Sequence, residues 1–245
     1  MKGVILAGGN ATRLRPLTWV TNKHLLPIYN KPMIFFPLEA MAKAGIKDVL
    51  IITGPHHSGA FINLLRSGKD FGLNLSYEIQ EDAGGIAQAI NLAKDFADQA
   101  KLLVILGDNI FTQSLRKDVE DFKKREKGAV VFGKNMATKS KQYGVIEVKN
   151  GKVVSIEEKP QKPKSQIGQT GIYMYDSRVF DFIKRQKPSK RGEFEVTDLN
   201  NNYVKGQTMT CKILTGWWVD AGTSFDELLK ANILVAKEIK KESEK

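Results

Sequence analysis

The first fourteen residues, MKGVILAGGNATRL (residues 1–14), join an apolar, β-prone run from Gly3 to Ala7 to a pair of glycines, Gly8 and Gly9. Glycine lets a backbone turn sharply and bring its N–H groups against an anion, and the guanidinium fork of Arg13 suits phosphate oxygens. A strand that ends in such a turn is typical of a phosphate-binding site. The segment therefore predicts nucleotide chemistry at the end of a buried strand.

Neither of two standard phosphate-binding motifs is present, because the residues after Gly9 form no G-x-G-x-x-G and no G-K-[ST]. Taken alone, a glycine pair after a strand is equally compatible with a purely structural turn. The neighbouring cations Arg13, Arg15 and Lys23 lie within one short stretch of the glycines. Three cations beside one glycine turn favour a triphosphate as the ligand.

Strand-like runs alternate with helical patterns along the first half of the chain. Predicted strands cover residues 4–7, 49–53, 75–79 and 102–106, and predicted helices cover 32–44, 58–67 and 85–97. This alternation predicts a Rossmann-like, layered α/β fold with a mainly parallel central sheet. Because ligands bind at the carboxyl ends of such strands, the glycine turn, Gln80 and Asp108 are expected to share one rim.

After about Gly128 the pattern changes to short strands and turns. Predicted strands cover 129–133, 144–148, 153–158 and 171–175, and predicted helices cover 178–185 and 224–241. Asn150-Gly151 between two strand-like runs indicates a hairpin. The last helix is amphipathic, and its side chains available for burial are Leu228, Leu229, Ile233, Val235 and Ala236. This half is expected to be a smaller, β-rich elaboration on the same sheet.

Composition limits the class of protein. The 245 residues are 42% hydrophobic, which suffices for a sizeable core. No apolar run approaches the about 18 residues of a membrane span, and the glycine pair cuts short the only candidate for a signal peptide. The single cysteine, Cys211, cannot form an internal disulfide. We therefore expect a cytoplasmic protein that binds no membrane.

The net charge of +11 suggests nucleic acid as one class of partner. The basic residues are scattered, however, and runs such as 237–245 have glutamates between the lysines. Such runs are typical of solvated helix faces, although the surplus charge also attracts small anionic substrates. We therefore expect no nucleic-acid partner.

The run LAGGNATRLRPLT (6–18), followed by Lys23 in NKHLLPI (22–28), closely resembles the signature of the sugar-1-phosphate nucleotidylyltransferases. Further matching segments follow in order: QEDAGGIAQA (80–89), LGDNIF (106–111), YGV (143–145), EEKP (157–160), TGIYMYD (170–176), RGEFEVTDLNN (191–201) and WVDAGT (218–223). Within that family the chain is most similar to the thymidylyltransferase branch, in the shorter form without extra C-terminal helices.

The resemblance implies a reaction in which an oxygen of glucose 1-phosphate attacks the α-phosphate of dTTP, giving dTDP-glucose and pyrophosphate with Mg²⁺ as cofactor. A carboxylate just past a buried strand already makes Asp108 a candidate metal ligand, although capping a helix is the alternative. The resemblance implies Asp220 as its second carboxylate. The histidines His24, His56 and His57 show no zinc-binding spacing.

The remaining site residues follow from the same resemblance. The implied catalytic residues are Arg13, Lys23 and Asp108. The implied nucleotide-binding residues are Leu6, Gly8, Gly9, Asn10, Ala11, Thr12, Arg13, Gln80, Gly85 and Asp108. The implied sugar-phosphate-binding residues are Lys23, Asn109, Tyr143, Gly144, Glu158, Lys159, Thr170 and Gly171. Trp217 and Trp218 are expected in the core, because tryptophan dominates buried packing.

Two departures from the family pattern are visible. Ala11 stands where many members have glycine, and Gln169 stands where a small apolar residue is common. The alternatives that stay open are another nucleotide or sugar 1-phosphate, such as a UDP-sugar or amino-sugar product, and a noncatalytic nucleotide-sugar-binding regulator. We expect a single domain, 1–245, with a mainly nucleotide-binding half (1–127) and a mainly sugar-phosphate-binding half (128–245). The resemblance also suggests a homo-oligomer, a tetramer.

Overall fold

The structure is a computed structural model that describes residues 1–9, 11–189 and 191–244, without the side chains of residues 138, 139, 141 and 242. Asn10, one of the residues expected to bind nucleotide, lies outside the described residues. The strands are β1 Lys2–Ala7, β2 Pro27–Ile28, β3 Lys31–Pro32, β4 Asp48–Thr53, β5 Asn74–Ile79, β6 Leu102–Leu106, β7 Asn109–Phe111, β8 Ala129–Asn135, β9 Gly144–Lys149, β10 Lys152–Glu158, β11 Ile167–Tyr175, β12 Met209–Ile213 and β13 Trp218–Asp220. The α-helices are α1 Phe35–Lys43, α2 Ser58–Leu65, α3 Ile86–Leu92, α4 Lys94–Ala97, α5 Arg116–Lys124, α6 Val179–Arg185, α7 Val196–Lys205 and α8 Phe225–Ser243.

One nine-stranded sheet runs through the molecule. Its main path is β10-β9-β11-β6-β1-β4-β5, and β8 joins β11 to β12 off this path. The strands of the first half are parallel to one another, whereas β11 pairs antiparallel with both β6 and β8. The expected α/β fold with a mainly parallel central sheet is confirmed, and the β-rich elaboration is mostly antiparallel.

The order of the parallel strands creates a crevice. From β1 the chain moves outward to β4 and β5, and it then returns to the other side of β1 to form β6. At such a reversal the connections after neighbouring strands leave in opposite directions, which opens a crevice beyond their carboxyl ends. Here those ends are Ala7 and Leu106, which are followed by Gly8 and Gly107.

The core is divided between the two faces of the sheet. Along β1, Val4 and Leu6 pack into one apolar cluster, while Ile5 and Ala7 pack into the other. Side chains alternate along a strand, so a strand covered on both faces has to be apolar throughout. This burial explains the unbroken apolar run that precedes the glycines.

The predicted hairpin is confirmed at Asn150 and Gly151, whose φ angles of 50° and 73° suit a tight turn between β9 and β10. The predicted helix over 32–44 begins later, because Lys31 and Pro32 pair with the preceding strand as β3. The short antiparallel pair of β7 and β13 was not predicted, since each strand is only three residues long and its partner is distant in sequence.

The amphipathic helix at the C-terminus is confirmed as α8, which Ser224 caps by accepting a hydrogen bond from the Glu227 N–H at 3.2 Å. Ala231 and Val235 are buried against the rest of the protein. The expectation that Leu229 and Ile233 are buried was wrong, because they lie on the outer side and are 61% and 46% exposed. Among the described residues, no helix has the length and apolarity needed to cross a membrane.

Candidate active site

The glycine-rich turn lies directly after β1. A Cβ at Gly8 would sit 2.9 Å from Oε1 of Gln80, so the close approach of that side chain requires glycine. Ala11 has a φ of 45°, a left-handed conformation that glycine adopts at lower cost. Thr12 and Arg13 follow in a single turn of 3-10 helix, and both are exposed to solvent.

Asn22 ties the next segment of chain to the end of β1. Its Nδ2 donates to the carbonyl oxygen of Ala7 at 3.3 Å, and its Oδ1 accepts from the His24 N–H at 2.9 Å. Asn22 thereby caps the 3-10 turn Lys23–Leu25. The result is that the Lys23 side chain extends across the crevice, where its ammonium group donates a hydrogen bond to Oδ2 of Asp108.

His24 is buried beside this pair and is electrically neutral. Burial, together with the adjacent Lys23 ammonium, lowers its pKa to about 3. Its Nδ1 lies 2.7 Å from Oδ1 of Asn22, an atom that can only accept, so the ring proton resides on Nδ1. Among the described residues no cluster of three metal-ligating side chains exists.

The backbone brings the two predicted metal ligands together. In the β7–β13 ladder Asp220 pairs with Asn109, and the N–H of Ala221 donates to the carbonyl oxygen of Asp108 at 2.9 Å. Burial and the neighbouring carboxylate of Asp108 raise the pKa of Asp220 to about 7. Burial alone would raise the pKa of Asp108 too, but the Lys23 ammonium outweighs it and holds this pKa below the ordinary value.

Lys23 remains charged in this setting. Burial on its own would lower the pKa of Lys23, yet the carboxylates of Asp108 and Asp220 raise it above the ordinary value. The Arg13 guanidinium acts on Lys23 in the opposite direction and lowers this pKa. An ammonium group paired with Asp108 and attracted by Asp220 is an arrangement that can neutralise a polyphosphate and leave carboxylates for a hard cation.

Gly222 packs directly against this pair and was not singled out from the sequence. A Cβ there would lie 2.3 Å from Oδ2 of Asp108 and 2.7 Å from Nζ of Lys23. No real side chain tolerates such distances, so the contact between Lys23 and Asp108 depends on glycine at this position. The signal was available in the segment WVDAGT, but only the spatial neighbours explain it.

A cavity of about 280 Å³ opens next to the glycine turn. It brings together many of the expected nucleotide-binding residues, and its full lining is Leu6, Gly8, Gly9, Lys23, His24, Gln80, Ala83, Gly85, Ile86, Ala89, Leu106, Asp108 and Glu193. Ala11 borders a second cleft of about 670 Å³, which shares Gly9, Gln80 and Ala83 with the first. The two cavities form one continuous recess around the turn.

The amide of Gln80 is oriented by a residue that the sequence analysis did not identify. Its Nε2 donates to Oε1 of Gln88 at 2.6 Å and to the carbonyl oxygen of Gly85 at 3.3 Å. Gly85 has a φ of 100°, and a Cβ there would lie 2.7 Å from the carbonyl oxygen of Phe194. The backbone of Phe194 therefore packs directly against Gly85, and the neighbouring Glu193 lines the nucleotide-side cavity.

Most residues expected to bind the sugar phosphate lie along the antiparallel half of the sheet, whereas Lys23 lies in the turn after Asn22 and Asn109 lies in β7. Glu158 and Lys159 line a separate cavity of about 440 Å³ together with Arg191. Oε1 of Glu158 is 3.4 Å from Nζ of Lys159, and its Oε2 accepts a hydrogen bond from the Thr197 hydroxyl at 2.8 Å. Thr197 was not predicted. Gly144 is the direct strand partner of Glu158.

Asn109 connects the two halves of the candidate site. Its Oδ1 accepts from the N–H of Gly171 and from Nε1 of Trp218, both at 2.8 Å. Tyr143 packs edge-to-face on Trp218 with ring centroids 5.6 Å apart, and burial with the nearby Asp220 carboxylate raises the pKa of Tyr143. Trp218 is in the core, as expected.

Thr170 uses its side chain within the sheet. Its hydroxyl donates to the carbonyl oxygen of Phe132 at 2.7 Å, and the residue is buried. A Cβ at the next position, Gly171, would lie 2.6 Å from Nδ2 of Asn109. These two residues therefore shape the wall beside Asn109, and the hydroxyl of Thr170 is already committed to a backbone partner.

Comparison with known proteins agrees with this geometry. A family model described as Nucleotidyl transferase matches residues 2–238. The chain belongs to the nucleotidyl transferase family. Within this family it is 44% identical over 227 residues to a glucose-1-phosphate thymidylyltransferase of Neisseria meningitidis, which covers 91% of this chain and 78% of that protein. It is 43% identical over 239 residues to a protein of the same name from Mycolicibacterium smegmatis, covering 96% and 82%.

Solved structures place this nucleotidyl transferase in the same fold. A Bacillus anthracis protein assigned as a glucose-1-phosphate thymidylyltransferase and solved with sucrose superposes with a TM-score of 0.91 at 47% identity, covering 96% of this chain and 94% of that one. A UDP-glucose pyrophosphorylase in complex with UDP-glucose has a TM-score of 0.86 at 24% identity, covering 97% and 98%, and it supports the fold alone.

Proposed function

We propose that this nucleotidyl transferase joins dTTP to glucose 1-phosphate, forming dTDP-glucose and releasing pyrophosphate. In this reaction a phosphate oxygen of the sugar 1-phosphate forms a bond to the α-phosphorus, while the bond from that phosphorus to the oxygen bridging the α- and β-phosphates breaks. The attacking phosphate is already ionised, so no general base is needed. The observation that carries the proposal is the contact of Lys23 with Asp108 between the nucleotide-side cavity and the elaborated half of the sheet.

Charge neutralisation is the main requirement, because two polyanions have to meet. Lys23 keeps its proton in this environment, and we assign it to the α-phosphate, where negative charge accumulates during bond formation. Arg13 follows the glycine turn and is exposed to solvent, and we assign it to the phosphates that leave. Holding both reactants in line contributes further, since it replaces a collision by an oriented, intramolecular encounter.

The residues present fit a magnesium ion. Asp108 and Asp220 supply carboxylate oxygens, the ligands that Mg²⁺ prefers. Burial and, after it, the Asp108 carboxylate raise the pKa of Asp220, so a divalent cation shared by the two carboxylates would relieve their repulsion. We therefore propose that these two side chains hold Mg²⁺. When bound, the ion supplies charge stabilisation on the phosphate oxygens. Asn109 supports Asp108 by donating from Nδ2 to its Oδ1 at 3.2 Å.

The second substrate is assigned to the half of the chain after residue 127. Lys159 presents an ammonium group in the 440 Å³ cavity, which suits the phosphate of a sugar 1-phosphate. Glu158 is held by the Thr197 hydroxyl and keeps carboxylate lone pairs to accept from sugar hydroxyls. We therefore keep the division into a mainly nucleotide-binding half (1–127) and a mainly sugar-phosphate-binding half (128–245) as part of the proposal.

We further propose a homo-oligomer, which an exposed apolar stripe on α8 supports, and we propose a tetramer on the family resemblance alone. Phe225, Leu229 and Ile233 recur every four residues and are 47%, 61% and 46% exposed. Light scattering coupled to size exclusion measures the mass directly, and a monomer at micromolar concentration would contradict the proposal. The cytoplasmic location expected from the sequence stays a prediction.

The reaction is tested by measuring pyrophosphate release with Mg²⁺, using dTTP, UTP, CTP, GTP and ATP against a panel of sugar 1-phosphates. We expect the highest kcat/KM for dTTP with glucose 1-phosphate, and a measurable rate with UTP, because one methyl group gives only about 1 to 3 kcal/mol of discrimination. A higher kcat/KM for another pair of nucleotide and sugar 1-phosphate would change the proposed specificity and leave the proposed mechanism in place. No release with any pair would favour a noncatalytic regulator.

A further inference from the structure

A polar cluster centred on Gln169 adjoins the sugar side of the site. Strands β10, β9 and β11 lie side by side, with Glu158 paired to Gly144 and with Gly168 paired to Val145. This register brings Gln169 next to Gly144 on the opposite side from Glu158. A Cβ at Gly144 would lie 3.4 Å from Oε2 of Glu158 and 3.3 Å from Nε2 of Gln169. A carboxylate and an amide therefore converge above a residue that has no side chain.

Thr197 of helix α7 completes this cluster from a separate element. Its hydroxyl oxygen lies 3.3 Å from the same Cβ position at Gly144, and it donates to Oε2 of Glu158 at 2.8 Å. The carboxylate is thus held on one oxygen by Thr197, while its Oε1 lies 3.4 Å from Nζ of Lys159. Glu158, Gln169 and Thr197 form a polar wall, of which Glu158 also lines the cavity that contains Lys159.

The orientation of the Gln169 amide follows from its buried neighbours. Nδ2 of Asn200 donates to Oε1 of Gln169 at 3.0 Å, and the Tyr175 hydroxyl donates to Oδ1 of Asn200 at 2.7 Å. Asn200 is fully buried, and Gln169 is only 7% exposed. Because the carbonyl end of Gln169 is occupied, its NH₂ group faces Gly144.

This NH₂ group carries more hydrogen-bonding capacity than the protein uses. Within the described part of the chain, Nε2 donates to one acceptor, the Tyr173 hydroxyl, across a long 3.4 Å. An amide nitrogen has two hydrogens, and a nearly buried N–H without an acceptor costs about 1–3 kcal/mol. An apolar residue would avoid this cost, so the presence of Gln169 indicates a ligand that accepts the second hydrogen bond.

We propose that Gln169 is a specificity-determining residue that donates a hydrogen bond from Nε2 to one ring hydroxyl of the sugar 1-phosphate. The inference rests on the proposed function. A hydroxyl group both accepts and donates, so the same group is suited to accept from Gln169 and to donate to Glu158. A wall of this kind rejects an analogue without that hydroxyl, because the nearly buried N–H of Gln169 and the half-buried carboxylate of Glu158 then lose their partner.

The test combines a substitution with substrate analogues. Gln169→Leu keeps the size of the side chain and removes the donor, and we expect it to lower kcat/KM for glucose 1-phosphate by about 10- to 100-fold. The kcat/KM values of the wild type and of Gln169→Leu are also compared with the 2-, 3-, 4- and 6-deoxy analogues of glucose 1-phosphate as substrates. For one analogue, Gln169→Leu should lower kcat/KM by less than about threefold, since the hydrogen bond from Gln169 to the missing hydroxyl is then already absent in the wild-type enzyme.

Tyr175→Phe is the matched control, because it removes a hydroxyl from the same network but leaves Nε2 of Gln169 in place. It should lower the melting temperature and leave the preference among the deoxy analogues as in the wild type. Gln169→Glu, which keeps an acceptor for Asn200, replaces the leucine variant if that one fails to fold. An equal penalty for all four analogues overturns the inference. Absence of wild-type turnover with glucose 1-phosphate instead overturns the proposed function, and the deoxy series is then built on the sugar that reacts.

Discussion

The ammonium group of Lys23 donates a hydrogen bond to Asp108, a residue 85 positions further along the chain. The contact forms because β1 and β6 are parallel neighbours, so the segments that follow them meet at one edge of the sheet. Asp220, the last residue of β13, lies beside this contact because it pairs with Asn109. Three segments far apart in sequence therefore supply one compact arrangement of charge, on which most of the following predictions depend.

Replacement of Asp108 tests the charge arrangement directly. Asp108→Ala should lower kcat by at least about 100-fold with the fold retained, because a preorganised charge is lost from the centre of the site. Asp181→Ala is the control, since Asp181 is an exposed carboxylate in α6. Pyrophosphate release and circular dichroism are the measurements. A normal rate for Asp108→Ala would remove the metal-ligand assignment.

Replacement of Gly222 tests the packing against the same pair. In Gly222→Ala the new methyl group would have to displace Oδ2 of Asp108 or Nζ of Lys23, so we expect kcat to fall by about 100-fold or more. Gly59→Ala in α2 is the matched control, because a Cβ there meets nothing within 4 Å. Both variants are compared by steady-state kinetics and thermal melting. Equal kinetics for the two would show that the Lys23–Asp108 contact tolerates displacement.

Magnesium affinity should depend on pH through Asp220. Its pKa is raised to about 7, so the carboxylate is partly protonated below neutrality and has to lose its proton to bind a cation. Between about pH 6 and pH 8 the affinity should rise several-fold and then level off. Calorimetric titration of nucleotide-free protein with Mg²⁺ measures this. Asp220→Asn should bind weakly and without the pH dependence, and an unchanged affinity in that variant would exclude Asp220 as a ligand.

His24 should make the protein sensitive to acid. Its pKa is about 3 in the folded state and about 6.5 when unfolded, so between these values the unfolded chain binds a proton that the folded chain does not. The free energy of unfolding therefore falls as pH drops below about 6.5, by about 2 kcal/mol at pH 5. Urea denaturation of wild type and His24→Gln at pH 7.5 and 5 measures the difference. An equal loss in both proteins would contradict the assignment.

Gln88 should act as a positioning residue for Gln80. Gln88→Leu removes the acceptor that orients the Gln80 amide at 2.6 Å, so KM for dTTP should rise about tenfold while kcat changes by less than about threefold. Asn91→Leu is the control, because it replaces an exposed amide on the same helix. A KM equal to that of the wild type would show that Gln80 needs no support from Gln88.

Much of the fold was predictable because its signals are local. The parallel strands, the alternation with helices and the Asn150-Gly151 hairpin depend on residues close together in sequence, and all are confirmed. The β7–β13 pair and the exposure of Leu229 were not predictable, because a three-residue strand has no pattern of its own and a helix pattern does not reveal which apolar side chain finds a partner.

The candidate site divides in the same way. Lys23, Asp108, Asp220 and Lys159 were identified through their motifs, and their individual roles stay predictions. Asn22, Gly222 and Thr197 lie within matching segments, but the sequence did not reveal their roles, since what each does depends on a neighbour distant in the chain. Motifs report the residues that meet substrate, whereas the residues that hold them in place differ with the surrounding packing.

The sequence by itself determined that the chain builds a layered α/β fold, because unbroken apolar strands that alternate with helices are a local consequence of burial. Only the tertiary structure decided which charged and polar groups lie close enough to act on one another. The raised pKa of Asp220 and the orientation of Gln169 arise from groups on other strands, and electrostatic and hydrogen-bond energies depend on distances of a few ångströms that sequence spacing does not contain.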